Sequence, residues 1–117
     1  VIIVDTIMPP IKLISALMLI EQKLERKRFK KNDPRTCDID IIDYNSRILK
    51  LKFNNLEFTV PHKKLTLRNF VLFPLKEISP MWKHPKTKEI IGDLVQKLRE
   101  EDKNSILKID KNWYNTK

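Results

Sequence analysis

Asp38 and Asp40 are the residues of this 117-residue chain whose type and spacing are best suited to chemistry. They stand two apart in Thr36-Cys37-Asp38-Ile39-Asp40-Ile41-Ile42, an apolar, β-branched run in which aspartate is otherwise disfavoured. On an extended backbone that spacing puts both carboxylates on one face, with their Cα atoms about 7 Å apart. Two converging hard-oxygen donors suit divalent magnesium. Arg35, just upstream, offers a planar fork that matches phosphate oxygens. Acids for the metal beside an arginine for the phosphates is how a magnesium–triphosphate site is built. Alone, Asp-x-Asp is a weak signal, because the solvated face of a hairpin gives the same pattern. Cys37 alternates with the acids and is expected to face the core.

The elements that must position these groups can be read along the chain. Val1 to Ile7 alternates weakly and predicts a strand. Pro9 and Pro10 open a helix running to about Glu25, with Leu13, Leu17, Ile20 and Leu24 as its apolar stripe. A basic loop, Arg26 to Asp33, follows. Thr36 to Tyr44 predicts a second strand, Asn45-Ser46 a turn, Ile48 to Phe53 a third strand, Asn54-Asn55 a second turn, and Glu57 to Val60 a fourth strand. Leu65 to Asn69 predicts a short helical turn and Phe70 to Phe73 a buried strand. Pro80 to Pro85 reads as loop, and Lys88 to Glu101 as a last helix with Ile91, Leu94, Val95 and Leu98 on one face. The tail from Asp102 is polar, with Trp113 and Tyr114 available to pack back. Strands interleaved with two amphipathic helices predict an α+β fold in a single domain, residues 1–117.

Composition narrows the functional classes. A formal charge of +9 and a pI near 9.7 point to an anionic partner, although a lysine-rich surface is also simply well solvated. Eighteen of the 24 basic residues are lysine, so the six arginines are the informative ones. Arginine's planar fork suits bidentate phosphate contact in a way lysine's ammonium does not. One cysteine excludes an intrachain disulfide, and with two histidines it makes no ordinary structural zinc site. Asp5 and Lys12 interrupt the only apolar stretch that approaches a membrane span, and the start lacks the pattern of a signal peptide. A soluble, cytoplasmic protein is expected. The chain opens without methionine on Val1-Ile2-Ile3-Val4, as though a strand were already under way, which suggests a truncated chain or gene fragment.

Three blocks in order, Pro34-Arg35-Thr36-x-Asp38-x-Asp40, then Val60-Pro61-His62, then Arg68-x-Phe70-Val71-Leu72-x-Pro74-Leu75, resemble the 6-hydroxymethyl-7,8-dihydropterin pyrophosphokinase family of folate biosynthesis. The likeness runs from about Val4 to the C-terminus. It implies a ferredoxin-like sandwich, an antiparallel sheet with helices packed on it, here without the family's N-terminal strand and helix. It also implies transfer of the β,γ-pyrophosphoryl group of ATP to the dihydropterin hydroxymethyl, with release of AMP. ATP and the dihydropterin are then the partners, two magnesium ions accompany the ATP, and the complete protein is expected to be a monomer. With part of the pterin pocket absent, the chain alone is expected to be a poor or inactive pyrophosphokinase that still binds nucleotide.

By the same resemblance, Asp38 and Asp40 hold the magnesium ions, and Asp40 is a candidate acceptor for the hydroxyl proton. Arg26, Arg28 and Arg35 contact the phosphates, the first two from a mobile loop. Glu25 stands where the family usually has glycine. His62, Thr59, Ile41 and Arg68 are assigned to the nucleotide. Glu21 matches a position near the nucleotide, but a solvated helix glutamate reads equally well. Phe70 matches the aromatic that stacks on the pterin, with a plain core phenylalanine as the alternative. His84 has no such context and is expected at the surface. A basic RNA-binding module of ferredoxin-like shape is the rival class. It lacks aromatic stacking platforms on its strands, and the two aspartates would repel a phosphate backbone, so nucleic acid is not the expected partner.

Overall fold

The computed structural model describes residues 1–25 and 38–106. The basic loop with Arg26, Arg28 and Arg35, the core placement of Cys37, and the packing of Trp113 and Tyr114 lie outside the described residues. The chain forms two compact units: one spans Ile3–Lys63, and the other begins at Lys64 and takes in Val1–Ile2.

The first unit is built from one helix and one hairpin. Helix α1 (Pro10–Glu25) starts where expected, with proline in its first turn. Ile14 is its fully buried residue, and Leu13, Leu17, Glu21 and Leu24 are half-buried. Ile20, expected on the inward stripe, is instead exposed, and Glu21 takes the inward position. Strands β1 (Leu49–Phe53) and β2 (Leu56–Val60) pair antiparallel, with Leu49 opposite Val60 and Phe53 opposite Leu56. Along β1 the leucines and Phe53 are half-buried while Lys50 and Lys52 are exposed, the alternation a one-sided sheet requires. The turns at both ends of β1 use left-handed residues: Asn45 and Ser46 (φ 49° and 58°), then Asn54 and Asn55 (φ 51° and 63°). Between β1 and β2, paired positive φ values match the twist of the strands joined, and asparagine tolerates that region better than most side chains.

Two expected strands are not formed. Residues 1–9 have no regular structure and expose their apolar side chains, and 38–43 run outside the two-stranded sheet. Alternation records which face a side chain takes, but a strand also needs a ladder partner, and neither stretch has one among the described residues.

In the second unit a 3-10 turn (Leu65–Leu67) leads into α2 (Asn69–Ile78), followed by α3 (Ile91–Gln96) and α4 (Glu100–Asn104). The buried strand expected over Phe70 to Phe73 is therefore part of a helix. A short unbroken apolar run does not separate buried strand from buried helix, and the pattern that decides is Val71, Leu72 and Leu75 turned inward. Pro74 sits inside α2, lacking the N–H that an ordinary residue gives to the preceding turn. The last expected helix is divided. Ile91, Leu94, Val95 and Leu98 are all buried as expected, but Arg99 is extended (φ −64°, ψ 149°) and ends the run. Three acidic residues then open α4, where the helix dipole favours negative charge.

His84 corrects a further expectation, being only 8% exposed. Its Nδ1 accepts the backbone N–H groups of Lys86 (3.1 Å) and Thr87 (3.2 Å), and its ring lies edge-on to Trp82. The ring organises the turn between Trp82 and Ile91, where the N–H of Ile91 donates to the Trp82 carbonyl (2.9 Å).

The candidate magnesium and nucleotide site

Among the described residues, two hydrogen bonds within the first unit hold the backbone of the segment 38–43. The Ile39 N–H donates to Glu21 Oε1 at 2.8 Å, tying the segment to α1. The His62 N–H donates to the Ile42 carbonyl at 3.1 Å, tying it to the end of β2. Exposure alternates between these anchors: Asp38 and Asp40 are exposed and Ile39 between them is half-buried, so both carboxylates look outward although the segment is no strand. Tyr44 closes the segment, its hydroxyl donating to the Met8 carbonyl at 2.6 Å.

His62 comes to the same place from the hairpin. Its Nε2 lies 3.8 Å from Asp40 Oδ2, with the imidazole 26% and the carboxylate 50% exposed. Thr59 lies on β2 opposite Lys50, and Ile41 is half-buried beside Asp40. The structure thus brings together Asp38, Asp40, Ile41 and His62, with Glu21 behind Ile39. Within the second unit, Arg68 is half-buried and caps α2, its carbonyl accepting the N–H groups of Val71 (3.1 Å) and Leu72 (3.0 Å). Its guanidinium lies 5.5 Å from the ring centroid of Phe70. Phe70 is 61% exposed, which removes the core reading.

Sequence reasoning had no means of finding the two backbone anchors, because N–H and C=O groups leave no trace in residue identity. A usable signal did exist at Glu21. A glutamate in phase with Leu17 and Leu24 on an amphipathic helix is a polar residue turned inward, and it needs a partner.

The donors suit magnesium. Asp38 and Asp40 are two exposed hard-oxygen donors, the kind an ion uses when it takes its other oxygens from phosphate and water, and no group of three His, Cys, Asp or Glu that could hold a metal ion occurs among the described residues.

Residues 1–80 match the family model for 7,8-dihydro-6-hydroxymethylpterin-pyrophosphokinase. The chain belongs to that family. It is 39% identical over 89 residues to the 2-amino-4-hydroxy-6-hydroxymethyldihydropteridine pyrophosphokinase of Synechocystis sp., a match covering 76% of this chain and 44% of that protein. It is 33% identical over 97 residues to the Haemophilus influenzae protein of the same name, covering 83% and 58%. A folic acid synthesis protein of Pneumocystis carinii is 34% identical over 104 residues, which is 89% of this chain and 14% of that one. The chain spans about half the length of the first two. No helix among the described residues is long and apolar enough to cross a membrane.

Proposed function

We propose that this chain carries the nucleotide and metal half of an ATP-dependent pyrophosphoryl transfer to 6-hydroxymethyl-7,8-dihydropterin, a step of folate biosynthesis. The observation that carries the reading is the outward Asp38–Asp40 pair, held at Ile39 and Ile42 and faced by His62. Family membership supports placing that unit in a ferredoxin-like sandwich.

In this reading the hydroxymethyl oxygen attacks the β-phosphorus of ATP, the bond to the α-phosphate oxygen breaks, and AMP departs with that oxygen. Asp38 and Asp40 would hold two magnesium ions, which would supply neutralisation of the charge developing on the phosphates. Asp40 takes the hydroxyl proton. His62 donates a hydrogen bond to the nucleotide, and Thr59 and Ile41 line its path along the hairpin. Arg68 meets phosphate oxygens, and Phe70 offers its exposed face to the pterin ring. Arg26, Arg28 and Arg35 complete the phosphate contacts by resemblance. Such a reaction depends on orientation and charge stabilisation and needs no protein nucleophile.

Calorimetric ATP binding with and without magnesium, followed by AMP release on adding the dihydropterin, tests this. Metal-dependent binding and pterin-dependent AMP formation are expected of protein carrying this chain. Binding that ignores the metal, or AMP release that ignores the pterin, would overturn the reading.

A further inference from the structure

Glu21 occupies a place its neighbour should have. On α1 the half-buried face runs through Leu13, Leu17, Glu21 and Leu24, while Ile20 points to solvent. Exchanging the two would bury a branched aliphatic side chain and return a carboxylate to water, both favourable. An inward glutamate that persists against that preference is held by a specific contact, and its Oε1 accepts the N–H of Ile39, 18 residues away.

We infer that Glu21 is a positioning residue for the Asp38–Asp40 pair, acting through the peptide between them. The N–H it holds belongs to the peptide that joins Asp38 to Ile39. Fixing that plane limits the backbone angles on both sides, and so the direction in which each aspartate leaves the chain. The other fixed point, the Ile42 carbonyl under the His62 N–H, lies on the far side of Asp40 from Asp38. Of these two anchors one lies on each side of Asp40, and the Glu21 anchor is the one next to Asp38. Metal affinity at two carboxylates depends on their holding a common direction before the ion arrives, because each degree of freedom frozen on binding subtracts from it. The inference rests on the assignment of Asp38 and Asp40 to magnesium.

The test compares Glu21→Ala, which removes the acceptor, with Glu21→Gln, whose amide oxygen can still receive the Ile39 N–H. Three quantities are read: hydrogen exchange at the Ile39 amide without ligand, apparent magnesium affinity at fixed ATP, and ATP affinity with magnesium chelated. In Glu21→Ala, Ile39 exchange accelerates and magnesium affinity falls about tenfold, the scale of one hydrogen bond to a charged group. Metal-free ATP affinity stays unchanged. Glu21→Gln restores both the exchange rate and most of the magnesium affinity. Faster Ile39 exchange with unchanged magnesium affinity would overturn the positioning role. So would an equal loss in metal-free ATP binding, which would make Glu21 a direct nucleotide contact. A failure of Glu21→Gln to restore affinity while restoring slow exchange would do the same. If the unsubstituted chain bound ATP without regard to magnesium, the functional reading itself would fall, and that result precedes any substitution.

Discussion

Replacing Asp40 with asparagine keeps the side-chain shape and removes one negative charge, so its effects on folding and on metal binding can be estimated separately. Asp40 Oδ2 lies 3.8 Å from His62 Nε2, with side chains 50% and 26% exposed. A pair that wet contributes at most about 1 kcal/mol to folding, a small part of the roughly 5–15 kcal/mol typical of a domain. Magnesium is affected far more. A divalent ion about 3 Å from the centre of a carboxylate charge interacts by about 3 kcal/mol even at the dielectric constant of water. Loss of that attraction weakens metal binding about a hundredfold. The expected outcome of Asp40→Asn is therefore an apparent magnesium affinity, measured by titrating the metal at fixed ATP in a calorimeter, lower by about two orders of magnitude. Its melting curve should shift little. Asp38→Asn should behave in the same way, since both carboxylates look outward from a backbone anchored elsewhere. Magnesium affinity within about threefold of the unsubstituted chain, a difference worth under 1 kcal/mol, would refute the assignment of these acids to the metal. A loss of folding large enough to explain the loss of affinity would refute the separation between site and scaffold.

Leu72, fully buried between helices of the second unit, should cost about 2–5 kcal/mol when cut to alanine, read as a lower urea midpoint. His84→Ala leaves the Lys86 and Thr87 amides without their acceptor and should cost about 1–3 kcal/mol. Asparagine, whose side-chain oxygen can replace Nδ1, should recover part of that in the same denaturation assay. Phe70→Ala should change stability by no more than about 0.5 kcal/mol, because the ring is exposed, while dihydropterin binding by protein that carries this chain falls. Glu89 is held below the ordinary glutamate value chiefly by the hydrogen bond from Lys97, with opposing desolvation second. A depressed folded pKa adds stability that is present above the unfolded value and disappears as pH falls through the folded one. Acid titration of the melting temperature should therefore flatten in Lys97→Met, and an unchanged acid limb would contradict the pairing.

The sequence was legible where side chains carry the information. Helix α1 follows from its two prolines and apolar stripe, the turns at both ends of β1 from Asn45-Ser46 and Asn54-Asn55, and the buried set Ile91, Leu94, Val95 and Leu98 from its spacing. It was illegible where the outcome depends on partners in space. Residues 1–9 and 38–43 alternate like strands but pair with nothing in the two-stranded sheet. Phe70 to Phe73 resembled a buried strand because four apolar residues in a row suit either element, and Leu75, beyond the run, is what aligns them on a helix. His84 looked like surface because its partners are two backbone amides of its own turn. At the site, the acids and His62 were visible as motifs, whereas the bonds that hold them were not.

That division has a physical consequence for how such a site tolerates change. The contacts that fix the 38–43 segment run from Glu21 and His62 to backbone atoms of Ile39 and Ile42, and the core beneath them is made by Ile14, Val60 and the half-buried face of β1. Neither anchor uses an aspartate side chain. Substituting Asp38 or Asp40 is therefore expected to leave these two hydrogen bonds in place, whereas substituting Glu21 removes the acceptor of one of them. A carboxylate that ligates an ion and a carboxylate that aims the ligands can thus be told apart by experiment. The first changes affinity with the backbone still protected from exchange, and the second changes both together. Under the proposed pyrophosphoryl transfer, which would depend mainly on alignment, a small loosening at Ile39 should cost rate out of proportion to its cost in stability. Conservative replacement at Glu21 is consequently the more discriminating probe of the proposed metal site.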